Sequence, residues 1–164
     1  MYAAKDTAGF TLIELMVVIT LLAVTAAVAI PSFTSFVRNN RLQAQAAEVK
    51  TLLNYARGEA VVRRTPVTIK VNASAAWDVS YMLGGSQTVI RSMAHDPEKA
   101  ALRVNTTQLV YQPNGTATAA RITVCRNNTA AEGYLIEVKG SGSSVLYPKG
   151  TSNGSGTALA SCTP

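Results

Sequence analysis

The chain has 164 residues, which fits one domain with an N-terminal appendage. Hydrophobic residues make up 48% of it but aromatic residues only 6%, so its core is expected to consist mainly of aliphatic side chains. The formal net charge of +6 permits contact with nucleic acid or anionic lipid and establishes neither, because such a charge most often serves solubility. The spacing of Cys125 and Cys162 fits no zinc pattern, which excludes the zinc-finger classes.

No catalytic or cofactor-binding pattern is found in the sequence. A Gly-rich phosphate loop and metal-ligand spacing are absent, and the one histidine, His95, lies beside Asp96 without a serine in a nucleophile motif. His95 is therefore predicted to be a solvated turn residue. The chain is predicted not to be an enzyme, with no catalytic residue, no cofactor and no metal.

An apolar stretch of 21 residues runs from Phe10 to Ile30 and contains one charged residue, Glu14. A helix of that length would span about 30 Å, the thickness of a bilayer core. An ordinary signal peptide is disfavoured for two reasons. The polar opening Met1–Gly9 has no net positive charge, because it contains one lysine and one aspartate, and a carboxylate interrupts the apolar run. A plain membrane anchor explains the length but not Glu14, since an ionisable group in lipid is costly and indicates a functional site.

The segment Gly9-Phe10-Thr11-Leu12-Ile13-Glu14 resembles the signature of type IV pilins. The resemblance implies a leader, residues 1–9, that a prepilin peptidase removes by cutting between Gly9 and Phe10, followed by N-methylation of Phe10. It implies a transmembrane and assembly helix over residues 10–31, with a kink or local disruption at Pro31. It also implies that Glu14 pairs with the Phe10 amine of a neighbouring subunit. Such a pair would set axial register, because each charge is costly when unpaired in an apolar setting.

The sequence pattern stays helical from Pro31 to about Arg64. Six apolar residues recur at alternating intervals of four and three, which places them on one stripe of the helix. They are Leu42, Ala46, Val49, Leu53, Ala56 and Ala60. Thr65-Pro66 is predicted to end the helix. The soluble head, residues 32–164, is therefore expected to include the C-terminal half of this helix.

Beyond Pro66 the apolar residues alternate with polar ones, as in strands. Residues 67–71 and 77–83 alternate, and Gly84-Gly85 followed by apolar residues 89–90 predicts a β-hairpin. Further short runs follow at 102–104, 109–111, 122–125, 134–138 and 145–147. Closely spaced strands with short turns favour an antiparallel sheet packed on the helix stripe. The expected fold is α+β and, by the resemblance, pilin-like.

The two cysteines suggest one disulfide, because an even count is typical of an exported domain with a bridge. Two buried thiols are the alternative, and it is disfavoured since Cys162 lies in a polar Gly/Ser-rich tail. A bridge between Cys125 and Cys162 would pin the C-terminal region.

Further motifs narrow the resemblance to the minor pilins of the FimT, FimU and GspH type, and most to FimU. The stretches Asn40–Ala44 and Leu53–Val61 are similar to theirs, with Ala56-Arg57-Gly58-Glu59-Ala60-Val61 matching an ARxEAV motif at the helix end. Thr65-Pro66-Val67 and the Asn114-Gly115 turn also match. The resemblance implies other minor pilins, the major pilin and the inner membrane as partners, and a final location in the extracellular pilus, at its tip.

Members of this group have three functions. FimU-like members prime pilus assembly at the tip, GspH-like members do so in the pseudopilus of type II secretion, and FimT-like members bind DNA. In the last, a C-terminal Gly-Arg-x-Arg stretch contributes, whereas Gly140–Val145 here has no arginine. Arg63, Arg64 and Lys70 could contact phosphates, but cations at a helix C-terminus are the favoured interpretation. The sequence therefore predicts a priming or tip minor pilin, with the DNA-binding and pseudopilin roles as alternatives.

Overall fold

The computed structural model describes residues 9–71 and 76–164. Within them the chain forms one long helix, eight strands and a short 3-10 helix. The helix α1 spans Leu12–Arg63 and the 3-10 helix Ala130–Glu132; the strands are β1 (Val67–Lys70), β2 (Ala76–Leu83), β3 (Ser86–Ala94), β4 (Ala101–Val104), β5 (Gln108–Tyr111), β6 (Ala120–Cys125), β7 (Tyr134–Val138) and β8 (Ser144–Leu146).

The chain divides into two compact units, an N-terminal unit of residues 1–38 and a head unit of residues 39–164, and α1 contributes to both. The predicted leader lies outside the described residues except for Gly9. In the N-terminal unit α1 runs through Pro31 without interruption. Of the predicted alternatives, the local disruption is therefore not observed, and a kink at Pro31 stays a prediction. A proline inside a helix removes one backbone hydrogen bond, and here the surrounding turns keep their helical form. The Pro31 carbonyl accepts hydrogen bonds from the hydroxyls of Thr34 at 2.9 Å and Ser35 at 3.0 Å.

The apolar stripe of α1 lies in the core of the head unit, as predicted. All six stripe residues are buried, and Leu52, which the four–three pattern missed, is buried as well. The helix ends where Arg64 takes a left-handed conformation, φ 54°, and its N–H donates to the Val61 carbonyl. A left-handed residue after the last turn is a common helix stop, and Pro66 follows it.

The strands form two antiparallel sheets rather than the single sheet expected. Sheet A has the order β3-β2-β1-β5 and sheet B the order β4-β6-β7-β8. In the β2–β3 hairpin Gly84 and Gly85 both have positive φ, as a type I′ turn requires. The pairing of β2 with β3 shifts between Val79 and Ser80, which leaves Ile90 as a bulge on β3.

One hydrophobic cluster joins α1 with both sheets. Trp77 on β2 and Tyr111 on β5 are its largest fully buried side chains, and Val67 and Ile69 from β1 lie between them in sheet order. Strand alternation turns these residues towards the helix stripe. Their burial therefore supplies the main stabilisation of the head unit.

The C-terminal segment is fixed to sheet B by the predicted disulfide, which joins Cys125 on β6 to Cys162. Beside it the Thr123 hydroxyl donates to the Cys162 carbonyl at 2.6 Å. Thr123 and Leu135 are turned away from the core face of sheet B, yet both are buried. The chain end therefore covers part of the outer face of this sheet.

Candidate assembly site

Glu14 lies in the first turn of α1, where Thr11 holds its carboxylate. Glu14 Oε2 accepts hydrogen bonds from the Thr11 N–H at 3.3 Å and the Thr11 hydroxyl at 3.2 Å. In return, the Glu14 N–H donates to Thr11 Oγ1 at 3.3 Å. This is a capping box with Thr11 as N-cap, and the carboxylate also lies at the positive end of the helix dipole. The Thr-x-x-Glu spacing of Thr11 and Glu14 is the sequence signal of this box.

The helix around Glu14 has an exposed surface that is apolar apart from threonines. An 18-residue window of α1 has a mean hydropathy of 2.5, and none of it is buried. The hydroxyls of Thr20 and Thr25 donate to helix carbonyls one turn back, which satisfies them within the helix. By length and composition, α1 can therefore cross a membrane, with Glu14 as the one ionisable side chain between Phe10 and Ile30.

A carboxylate in this setting suits assembly rather than catalysis. Oε1 of Glu14 makes no hydrogen bond within the described part of the chain, so the group can accept a further donor. An apolar surface that lacks an internal partner can be covered by lipid or by other helices. The cleavage between Gly9 and Phe10, the methylation of Phe10 and its pairing with Glu14 remain predictions.

The structure does not bring the three predicted basic residues together. Arg63 forms an ion pair with Glu59 at 2.6 Å and lies 4.6 Å from the centre of the Tyr81 ring. The hydrogen bond that Arg63 Nε donates to Glu59 Oε2 raises the pKa of Arg63. Lys70 instead donates to Gln87 at 2.8 Å. Arg63 is thus placed as a cation at a helix C-terminus.

Sheet register explains this separation. Tyr81, which Arg63 covers, is paired with Val67, whose side chain points to the core. Lys70 is three residues further along β1 and therefore lies on the opposite face of sheet A. Arg64 is exposed at the helix stop. Phosphate contact by these residues remains a prediction, and it would need a ligand that reaches both faces.

Arg57 has a role that the sequence analysis missed. From α1 its Nε donates to the Gly115 carbonyl at 3.1 Å and its Nη2 to the Ser141 carbonyl at 3.3 Å. It thus joins the turn after β5 to the turn after β7. Gly142 is needed there, because a Cβ at this position would lie 1.8 Å from the Gly115 oxygen. The ARxEAV resemblance marked the segment, but nothing local indicated the two distant carbonyls.

His95 is half-buried, so it is only partly exposed to solvent. The neighbouring Asp96 caps the following turn by accepting the Glu98 N–H at 3.1 Å and pairing with Lys99 at 2.6 Å. The hydrogen bond from Lys99 lowers the pKa of Asp96. Asp96 is therefore a turn-forming residue.

Solved structures share this fold. The type IV minor pilin FimU of Pseudomonas aeruginosa PAO1 is similar with a TM-score of 0.64 and 23% identity, over 77% of this chain and 98% of that chain. The minor pseudopilin EpsH of the Vibrio cholerae type II secretion system is similar with a TM-score of 0.60 and 9% identity, over 70% of this chain and 99% of that chain. No curated protein sequence matches the chain.

Two family profiles match the sequence. The prokaryotic N-terminal methylation motif matches residues 4–30, which include Gly9, Phe10 and Glu14. The profile of the type II transport protein GspH matches residues 45–142, more than half of the chain. The pilins and pseudopilins of this family are structural proteins. The chain therefore belongs to the GspH family and is a minor pilin or pseudopilin, anchored by its N-terminal helix and associated with other pilins.

Proposed function

We propose that this chain is a minor pilin that primes assembly of a type IV pilus and forms part of its tip complex. Its leader, residues 1–9, is removed by a prepilin peptidase, and residues 10–31 hold it in the inner membrane until assembly. Phe10 becomes the methylated N-terminus. The major pilin and other minor pilins are its partners.

The observation that carries this proposal is the single carboxylate in the exposed and almost wholly apolar stretch from Phe10 to Ile30. Glu14 is engaged by Thr11 through one oxygen, Oε2, and a neighbour's Phe10 amine would supply a full positive charge. Attraction between such charges is strong where water is excluded, and a subunit out of register would leave both unpaired. The assembly step that this chain performs is therefore the bundling of its N-terminal helix, in register, with the helices of neighbouring subunits.

The likeness to FimU supports the pilus over the pseudopilus. FimU has the higher sequence identity, 23% against 9% for EpsH, and covers more of this chain. The second candidate, a minor pseudopilin of a type II secretion system, is favoured by the name of the matching family profile. DNA reception is less well supported, because Arg63 and Lys70 lie on opposite faces of sheet A and Gly140–Val145 has no arginine.

The proposal is tested by counting surface pili by electron microscopy in a strain that lacks this chain. We expect pili to vanish or fall sharply in number, and to return when the intact gene is supplied in trans. Unchanged pilus numbers would overturn the priming role. Loss of protein secretion in that strain would then identify the pseudopilin role, and loss of DNA uptake with unchanged pili the DNA-binding role.

A further inference from the structure

Two asparagines in the chain are each followed by a glycine, in Asn114-Gly115 and Asn153-Gly154. In such a pair the backbone nitrogen of the glycine can attack the side-chain carbonyl carbon of the asparagine, Cγ, and close a succinimide ring within the chain. Glycine favours this attack, because it has no Cβ to hinder the approach. The two pairs share the same chemistry, so the structure around each decides which of them can react.

The pair Asn114-Gly115 is held against reaction, because its nucleophile is occupied. Gly115 is buried, and its N–H donates to the Gln112 carbonyl at 2.9 Å. The Gly115 carbonyl accepts a hydrogen bond from Arg57 Nε at 3.1 Å, which fixes the glycine from its other side. To attack Cγ, the Gly115 nitrogen would have to break its hydrogen bond and turn a peptide that is packed inside the head unit.

Gly154 is restrained much less than Gly115. It is exposed, and within the described part of the chain its N–H donates no hydrogen bond. A Cβ placed on Gly154 would meet no described atom within 4 Å, so the space beside it is open to water. Its nitrogen can therefore lose a proton to water and turn towards the Asn153 side chain without breaking another contact.

The loop of residues 152–157 prepares the Asn153 side chain for this attack. Asn153 Oδ1 accepts hydrogen bonds from the Ser155 N–H at 3.1 Å, the Ser155 hydroxyl at 3.1 Å and the Thr157 N–H at 3.0 Å. When the Gly154 nitrogen attacks Cγ, negative charge develops on Oδ1. Donors that already point at this oxygen stabilise that charge, as they do for the oxyanion of an acyl-transfer reaction.

The two pairs differ in the nucleophile more than in the group that is attacked. Oδ1 of Asn114 also accepts two hydrogen bonds, from the Thr116 N–H at 3.1 Å and the Thr116 hydroxyl at 2.7 Å. The glycine nitrogen is hydrogen-bonded in Gly115 but not, over the described ranges, in Gly154. Reaction is therefore expected at Asn153 and not at Asn114.

We propose that Asn153 is a self-modification site, at which the folded head deamidates its own side chain. The Gly154 nitrogen loses its proton to water and bonds to Asn153 Cγ. The Cγ–Nδ2 bond then breaks, and Nδ2 takes up a proton and leaves as ammonia. Water opens the succinimide at either carbonyl, which gives aspartate or isoaspartate without any oxidant or reductant. The product carries one more carboxylate, so the formal net charge falls by one from +6.

The modification should leave the head folded, because the loop is fastened on both sides. Thr151 and Ala158 form an isolated β-bridge at its base, and the Leu159 N–H donates to the Gly150 carbonyl at 2.8 Å. The disulfide of Cys162 joins the residues that follow to β6. Deamidation therefore adds a negative charge to the surface of the head without releasing the C-terminal segment. This inference does not depend on the proposed role in assembly.

The test follows both asparagine–glycine pairs in the purified full-length chain in detergent. Samples are kept at neutral pH and digested at acidic pH, and mass spectrometry gives the fractions of aspartate and isoaspartate at positions 114 and 153. We expect Asn153 to react at least about tenfold faster than Asn114, whose glycine must first break its hydrogen bond. In urea, where both pairs are unfolded, the two rates should be similar.

Two glycine variants test the nucleophile. Gly154→Ala places a methyl group beside the attacking nitrogen, so the reaction at Asn153 should slow at least about tenfold. The head should accommodate this change, because Gly154 does not have a positive φ and a Cβ there meets no described atom within 4 Å. Gly140→Ala is the matched control, since Gly140 has the same two properties, and it should leave the rate at Asn153 unchanged.

A serine variant tests the donors around Oδ1. Ser155→Ala removes the hydroxyl that donates to Asn153 Oδ1 and keeps the Ser155 N–H, so the reaction should slow several-fold. Ser161→Ala, a change at another exposed serine of the C-terminal segment, should leave the rate unchanged.

Three outcomes would overturn the proposal. Equal rates at positions 114 and 153 in the folded chain would show that the structure does not distinguish the two pairs. Product at Asn153 in urea but not in the folded chain would show that the loop protects this side chain. An unchanged rate in Gly154→Ala would exclude attack by the Gly154 nitrogen.

Discussion

The two units of this chain use apolar residues in opposite ways. In the head unit, apolar residues of α1 are turned into the protein's own core, and Leu53 and Ala56 are completely buried. In the N-terminal unit Leu21 and Leu22 are each 61% exposed, and no residue of the apolar window is buried. We therefore expect the stability of the head and the capacity to assemble to depend on different residues of one helix. Changes in the head should alter unfolding, whereas changes near Glu14 should alter assembly alone.

The largest effect on the head should come from removing its disulfide. The bridge closes a loop with a sequence separation of 37 residues, so the double variant Cys125→Ser/Cys162→Ser should lose about 4 kcal/mol of unfolding free energy. Urea unfolding of the full-length chain in detergent, followed by the fluorescence of buried Trp77, measures this loss. Ser161→Ala, an exposed change next to the bridge, is the control. A loss below about 1 kcal/mol would show that the C-terminal segment adds little to the head.

A smaller loss of unfolding free energy is expected from a substitution at Gly142, in one of the two turns that Arg57 joins. Gly142 has a φ of 78°, and a Cβ there would meet the Gly115 carbonyl. Gly142→Ala should therefore cost about 3 kcal/mol through backbone strain and a steric clash. Gly140→Ala is the matched control, because its Cβ would meet nothing within 4 Å. If the two variants unfold at the same urea concentration, the close approach of the turns contributes nothing to stability.

The ionisation of Tyr111 should lower the unfolding free energy at alkaline pH by a similar or smaller amount. Burial raises the pKa of Tyr111 to about 12, above its ordinary value of 10. Between these values the unfolded chain loses a proton that the folded head retains. The contribution of Tyr111 is thus fully present below pH 10, and about 2 to 3 kcal/mol should be lost as the pH rises to 12.

The matched variant for this titration is Tyr111→Phe, in which that part of the pH dependence should vanish. The Tyr111 hydroxyl is buried and has no hydrogen-bond partner among the described residues, so its removal at pH 7 should cost little. Unfolding free energies of both proteins between pH 8 and pH 12 give the comparison. Parallel curves would contradict the assignment of the loss to Tyr111.

Local patterns in the sequence predicted much of the head. The spacing of Leu42, Ala46 and Val49 indicated the buried helix face, and Gly84-Gly85 indicated the hairpin, because both signals lie within a few residues. Leu52 was missed because the alternating four–three spacing selects one narrow stripe, whereas the buried face of α1 is wide enough to include both Leu52 and Leu53.

The division into two sheets could not be predicted from local patterns. Strands β4 and β5 are separated by three residues, yet β4 pairs with β6 and β5 with β1. Such pairing depends on contacts between distant segments, as does the role of Arg57. The candidate assembly site was easier to predict from the sequence, since Glu14 and its apolar surroundings are contiguous in the chain. Even there, the hydrogen bonds from Thr11 became apparent only in the structure.

The most direct test of the separation between the two units is the incorporation of Glu14→Ala into filaments. The fraction of the full-length chain in sheared filaments is measured against wild type and against Glu48→Ala, which removes an exposed acid from the same helix. We predict that Glu14→Ala unfolds like wild type and inserts in the membrane but is strongly depleted from filaments, while Glu48→Ala is incorporated normally. Normal incorporation of Glu14→Ala would contradict the charge-pair account of assembly.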